Sequence, residues 1–411
     1  MDKTKIDETK TVRGLAGKKT MWLIFFSIIG ASPAIGSLFD TSSYSYASPY
    51  ILAQIHLSAG YLGLLVSMYA LGIAIFSIIG GYLFDKFSAK YTLIIGLIVL
   101  SLFTVATGYS VNVPELVISR LATGFGVGII QVGSFGFLGD QNTLKRGISI
   151  MFYGEMGAIG GIVAPYVLEP FLPNYTIAFD ISGVLGAVLI LLFIFLIPNT
   201  FKIQSKAKNP FKGTIKRSTI LIMLSIFFFG FTLLNVVGYY AYYLEDIIGF
   251  SKLDVGVILS GLYIGALIFS LPAGYFSDRY GRKYVLMTFI SLIFISTAGI
   301  ILAGKIFILF LLLTIMFGAG WHVYSVITPA AGQDLVDDKS VGSISGAIYF
   351  FYNIGGVIGP LLLAYSISFI KFKIAMVYFM LIPAIIALIL TFIVKYPKNI
   401  KKVLEEQEIE T

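Results

Sequence analysis

Three ionisable residues interrupt long apolar stretches in the first half of this 411-residue chain: Asp40, Arg120 and Glu155. In lipid such charges are costly, so they pair or face a water-filled cavity and are the first candidates for function. Arg120 lies about six residues from the end of its stretch and Asp40 late in its own, at comparable depth, so the two can meet. Protonation of Asp40 would discharge that pair and supply a two-state element driven by a proton. The alternative is a static pair that locks two segments together. Glu155 is either a second protonatable group or solute contact, or a carboxylate reaching water from the end of its segment.

The second half offers a different chemistry. His322, beside Trp321, carries a side chain that changes charge near neutral pH, although a lone helical His also serves as a packing residue. Asn235, Tyr239, Tyr240, Trp321, His322 and Tyr349 combine amide, imidazole and aromatic groups that could stack on and hydrogen-bond a small polar solute. Tyr242 and Tyr243, near the end of the same stretch as Asn235, fit an interfacial aromatic belt.

Several chemistries are excluded. Cysteine is absent, which removes disulfides, thiol catalysis and Cys-ligated metals, and two His make a His-rich metal site untenable. Gly124, Gly126 and Gly128 lie within an apolar stretch with no preceding strand, so they are no dinucleotide loop. No Walker A sequence occurs, so ATP is not the expected energy source, and no catalytic constellation suggests an enzyme or a cofactor.

The elements that must position these residues follow from composition. Hydrophobic residues make up 57% of the chain and charged residues 12%, against about 25% charged in soluble domains. A membrane helix needs roughly 20 apolar residues, and twelve such segments are readable. They are 20–50 (broken near Pro33 and Pro49), 59–84, 91–111, 114–138, 147–170, 176–197, 218–243, 253–276, 284–303, 305–329, 342–370 and 373–394. The expectation is an all-α polytopic membrane protein. A tail at 1–19, six-helix bundles at 20–198 and 218–394, a linker at 199–217 and a tail at 395–411 complete its organisation.

Of 29 Lys and Arg, 24 fall on the face that holds both tails and the linker, four fall opposite, and Arg120 lies within a segment. That bias predicts a cell-membrane protein with both termini cytoplasmic. It also accounts for the net +8 charge without nucleic acid. The basic first 19 residues contain no apolar run and read as a tail, not a secretory signal.

The halves repeat. Residues 57–91 and 250–284 align with twelve of 35 positions identical, among them Gly72/Gly265, Gly81/Gly274 and Asp85/Asp278. Further on, Gly124 and Gly126 face Gly318 and Gly320, and Gly160, Gly161 and Pro165 face Gly355, Gly356 and Pro360. Parallel six-helix repeats with a site between them are a transporter plan.

The paired loops GYLFDKFSAKY and GYFSDRYGRKY resemble the G-x-x-x-D-R-x-G-R-R/K signature of the major facilitator superfamily, with Ser88 and Ala89 departing in the first copy. The resemblance implies gating roles for Gly81, Asp85, Gly274, Asp278, Arg279, Gly281 and Arg282, the aspartates capping neighbouring helix ends on the inward side. Arg120-x3-Gly124-x-Gly126-x-Gly128 followed by Arg146-Gly147, Asn235-Val-Val-Gly-Tyr239-Tyr240, Trp321-x3-Ser325-x3-Pro329 and Pro397…Leu404-Glu405-Glu406 are similar to the sugar-porter branch. That branch implies proton coupling through an acid in helix 1 and an Arg in helix 4. Gly157, Gly161 and Pro165 fall short of the helix 5 motif of drug/proton antiporters and read as close packing. The expectation is a monomeric proton symporter for a small polar organic solute, sugar or polyol first and organic acid second. Drug or metabolite efflux, or a sensor on the same fold, is the alternative.

Overall fold

The computed structural model describes residues 24–57, 60–87, 89–141, 146–171, 174–197, 215–336 and 341–396. The tail 1–19, nearly all of the linker and the end of the chain from Pro397 lie outside the described residues, as do the side chains of Asp85 and Arg146. Among the described residues there is no strand. Helices satisfy their own backbone polar groups, which hydrocarbon cannot do for them.

Six helices form the first bundle: α1 (Pro33–Ile55, preceded by a helical stretch at 24–31), α2 (Gly60–Lys86), α3 (Ala89–Gly108), α4 (Val113–Gln141), α5 (Arg146–Leu168) and α6 (Thr176–Leu196). Six form the second: α7 (Arg217–Tyr242), α8 (Lys252–Tyr280), α9 (Arg282–Leu302), α10 (Phe307–Gln333), α11 (Val341–Ser366) and α12, which runs from Phe372 to Ile393. All twelve are long and apolar enough to cross a membrane. Large apolar side chains such as Leu102, Phe195 and Leu302 are exposed on the periphery, as a lipid-facing surface requires.

One expected break is absent. The turn before Pro33 is a single residue, Ser32, and the helix runs through position 49. Proline at 49 has no N–H to donate to the carbonyl of Ser45. The Ser48 hydroxyl donates to that carbonyl at 3.0 Å, so the break in the ladder is satisfied locally.

Glycines set the close packing inside each bundle. A Cβ on Gly72 would lie 2.1 Å from the Leu121 carbonyl oxygen, and one on Gly124 2.2 Å from that of Tyr69. The repeat-related Gly265 and Gly318 would each place a Cβ 2.0 Å from the carbonyl oxygens of Ile315 and Leu262. Backbone is the obstacle in all four cases, so α2 meets α4, and α8 meets α10, only because a side chain is missing.

The bundles meet along two seams, α2 against α11 and α5 against α8. Along the first, Ser67 donates to the Val357 carbonyl at 3.0 Å and Ser77 to that of Gly346 at 3.3 Å. The second bundle also contains two π-helical segments, Tyr243–Ile248 after α7 and Val377–Leu381 within α12. Such segments disturb the backbone ladder and often mark functional sites.

Candidate functional site

A cavity of about 440 Å³ lies between the bundles and opens on the face opposite the chain ends. Its wall combines the far halves of α1, α5 and α7 with the first turns of α2 and α8. Tyrosines (Tyr44, Tyr46, Tyr240, Tyr242, Tyr263) and serines supply most of its polarity, and Glu245 and Asp246 stand at the mouth on the π-helical extension of α7. Gly161 and Pro165 belong to the same wall, and a Cβ on Gly161 would strike the Tyr263 ring at 2.4 Å. The small residue lets α5 approach α8 there.

The structure brings Asp40 and Arg120 together beneath this wall. Arg120 Nη1 donates to Asp40 Oδ2 at 3.1 Å, and the Thr104 hydroxyl donates to Oδ1 at 2.8 Å. Both charged side chains are buried, Asp40 completely. The guanidinium carbon lies 4.0 Å from the centre of the Tyr44 ring and 4.4 Å from that of Tyr69. A cation against an aromatic face is stabilised by the ring quadrupole, more so when desolvated. Arg120 Nε has no partner, so one donor of the fork remains open. Tyr44 is one turn beyond Asp40 on α1, touching the pair below and lining the cavity above.

Glu155 is not a segment-end residue reaching water. It is buried, and its Oε1 accepts the backbone N–H of Leu271 at 3.1 Å. Leu271 directly precedes Pro272, the proline inside α8. The carboxylate therefore crosses the α5/α8 seam and holds the second bundle by its main chain.

On the chain-end side of the cavity the bundles are shut. Phe135 of α4 stacks on Tyr349 of α11 with centroids 5.1 Å apart and lies 4.7 Å from Tyr153 of α5. The Tyr349 hydroxyl donates to the Ser325 carbonyl of α10 at 3.0 Å. Aromatic side chains from both bundles thus form one plug.

Of the six residues expected to meet a solute, Tyr240 alone lines this cavity. Its hydroxyl is bonded to Thr314 at 2.5 Å. Asn235 points elsewhere: its amide nitrogen donates to the carbonyls of Phe231 and Phe379 at 2.9 and 3.0 Å. Phe379 lies in the π-helical segment of α12, and the Thr232 hydroxyl bonds Met380 of that segment at 2.9 Å. These side chains satisfy carbonyls that the segment's irregular ladder presents, which is why the amide nitrogen is not free for a solute. Tyr239 is buried against α12, Trp321 and His322 sit behind Tyr263, and Tyr349 is in the plug. Tyr243 is not an interfacial belt residue; it stacks on Phe372 at 5.8 Å inside the bundle, while Tyr242 faces the cavity.

At the chain-end face the second signature copy forms a network. Arg282 donates to Asp278, to Ser277 at 3.0 Å and through Nε to Asp334 at 2.8 Å. Gly281, at φ 100°, makes the turn that starts α9. Arg279 is exposed and bonds Tyr275 at 2.9 Å, and Gly81 and Gly274 are buried in α2 and α8. Asp334 ties α10 into the network from 52 residues away; nothing in its local sequence marks it. By contrast Tyr44 had a signal, its i+4 spacing from Asp40.

The family model described as Major Facilitator Superfamily matches residues 34–246 and 220–411. The chain belongs to that superfamily. It is a multi-pass membrane protein of the transporter fold. The "Hexuronate transporter" of Bacillus subtilis is 28% identical over 362 residues, covering 80% of this chain and 84% of that protein. The "Quinolone resistance protein NorA" of Staphylococcus aureus is 25% identical over 366 residues, covering 84% and 89%. Among solved structures, the proton:xylose symporter XylE superposes with a TM-score of 0.75 at 15% identity, over 92% of this chain and 97% of that one. The transporter fold expected from the repeat is the fold observed.

Proposed function

We propose that this superfamily member is a proton-coupled carrier that moves a small polar organic solute across the cytoplasmic membrane by alternating access. The observation that carries the reading is the buried Asp40–Arg120 pair one helical turn below the cavity wall, with Tyr44 touching both. A proton on Asp40 removes the negative partner, and the desolvated guanidinium then needs another acceptor. Tyr44 and Tyr69 move with it, and the floor of the cavity changes shape. Glu155 supplies a second carboxylate at the seam that must rearrange when the bundles rock. The aromatic plug closes the chain-end side, where the Asp278–Arg282–Asp334 network ties α8, α9 and the end of α10 together, and the basic-residue bias assigns that side to the cytoplasm. Uptake of a sugar-derived solute is the first direction. Efflux is the second, and the similarity to NorA supports it.

The test uses purified protein in liposomes that trap a pH dye, challenged in turn with sugars, organic acids and cationic drugs. Solute-dependent proton flux is expected from one panel, and Asp40→Asn should abolish gradient-driven accumulation while solute counterflow persists. Accumulation left intact in Asp40→Asn removes this carboxylate from coupling.

A further inference from the structure

We propose that the cavity selects a solute carrying a positively charged nitrogen and rejects a carboxylate; this deepens the carrier reading above by naming the charge of its cargo. Three observations on the wall support it.

The first is its sign. Glu245 and Asp246 stand at the mouth without a hydrogen-bond or ion-pair partner among the described residues, and no Lys, Arg or His of the described residues lines the cavity. The nearest buried cation, Arg120, is matched by Asp40 and covered by the Tyr44 ring.

The second is the direction of its hydrogen bonds. Each serine hydroxyl in the wall already donates to a backbone carbonyl: Ser42 to Gly161 at 2.8 Å, Ser45 to Thr41 at 3.0 Å, Ser48 to Ser45 at 3.0 Å and Ser260 to Gly256 at 2.9 Å. What these side chains have left for a solute is lone pairs. Tyr240 follows the same rule. Thr314 donates its proton to Phe310 at 2.7 Å, so the Tyr240 hydroxyl is the donor to Thr314. These four serines and Tyr240 offer a solute acceptors only, which suits N–H donors and gives a carboxylate no partner among them.

The third is an unfilled group. Tyr44 is 4% exposed and its hydroxyl has no partner, which is uncommon for a buried polar atom. It belongs to the cavity wall, where Tyr46, Tyr242 and Tyr263 add further aromatic side chains, a residue type that attracts an organic cation.

Equilibrium dialysis of the full chain in detergent tests this with four radiolabelled probes: glucosamine, glucose, glucuronate and tetraethylammonium. The three sugars share a ring and differ in charge at mildly acidic pH, where the amine is protonated. Tetraethylammonium asks the same question without a sugar skeleton. Saturable binding of at least one cation is expected, about tenfold or more tighter than glucose, with glucuronate failing to compete. Glu245→Gln/Asp246→Asn should erase most of that preference, and Tyr44→Phe should weaken amine binding with little change in melting temperature. Saturable glucuronate binding, saturable binding of glucose as tight as that of glucosamine, or no saturable binding of either cation overturns the proposal. The ranking in the unaltered chain depends on no variant folding. Dialysis needs no gradient, so a failure of proton coupling in liposomes and a failure of charge selection here are separate results.

Discussion

The two bundles are built alike where helices pack and unlike where charge is buried. Gly72 and Gly124 of the first do for α2 and α4 what Gly265 and Gly318 of the second do for α8 and α10. Four residues before Gly124 stands Arg120, ion-paired and stacked between two tyrosines. Four residues before Gly318 stands Thr314, bonded to Tyr240. Glu155 on α5 faces Phe350 across the repeat. Duplication has kept the scaffold and let the two interiors diverge. One half holds the buried ion pair and the carboxylate assigned to the proton in the proposed cycle, and the other holds tyrosines and π-helical segments.

The sharpest way to break this comparison is Arg120→Ala, which strands a buried carboxylate. Removing one partner of a buried pair costs about 3–5 kcal/mol, whereas removing both costs far less. The single variant is therefore expected to melt well below Asp40→Asn/Arg120→Ala in detergent. Equal melting of the two would mean that the charges are not energetic partners.

The scaffold predicts the opposite pattern, equality across the repeat. Gly72→Ala and Gly265→Ala each drive a methyl into a backbone carbonyl at about 2 Å, and overpacking of this kind costs about 1–3 kcal/mol. Thermal unfolding should show similar losses in both. A loss confined to one would show that the packing symmetry is geometric without being energetic.

Glu155 has no counterpart, so its removal should have an effect the second half cannot copy. Glu155→Ala removes the carboxylate bond to the Leu271 N–H across the seam, at a cost of about 1 kcal/mol. Glu155→Gln keeps an oxygen acceptor and should restore the melting temperature. It should not restore the pH dependence of transport if the carboxylate takes a proton during the cycle. A Gln variant with an unaltered pH–rate profile would reduce Glu155 to a structural bridge.

How far the sequence announced all this depends on the range of the interaction. Helix positions were legible because lipid demands long apolar runs, and the observed ends lie within a few residues of the expected ones. Asp40 and Arg120 were legible because charges in such runs are rare. The tyrosines around Arg120 were not, with Tyr44 the exception by spacing, since Tyr69 arrives from α2 through the glycine contact of α2 with α4. Asn235 misled for a related reason. Its partners are the Phe231 carbonyl of its own helix and the Phe379 carbonyl of a π-helical segment in α12, and no local pattern in the 377–381 run (VYFML) announces that geometry. The acidic mouth and the acceptor-only serines lay in plain view as residue types. Their meaning depends on which wall they share and where each hydroxyl proton goes.

The smallest expected effect belongs to the hydrogen bond of Thr314, which stands in the second half where Arg120 stands in the first. Tyr240→Phe removes one hydrogen bond and leaves Thr314 bonded to Phe310, so the loss should be about 1 kcal/mol. Thr314→Val takes the acceptor from a buried Tyr240 hydroxyl and should cost more than Tyr240→Phe, because the stranded group is polar. Both variants should keep proton coupling, whatever Tyr240→Phe does to solute affinity, since neither touches a group that titrates in the proposed cycle. Coupling lost in Tyr240→Phe, with melting and counterflow unchanged, would place a working proton path in the second bundle. The division between a responsive half and a static half would then fail at the position where the repeat predicts it most directly.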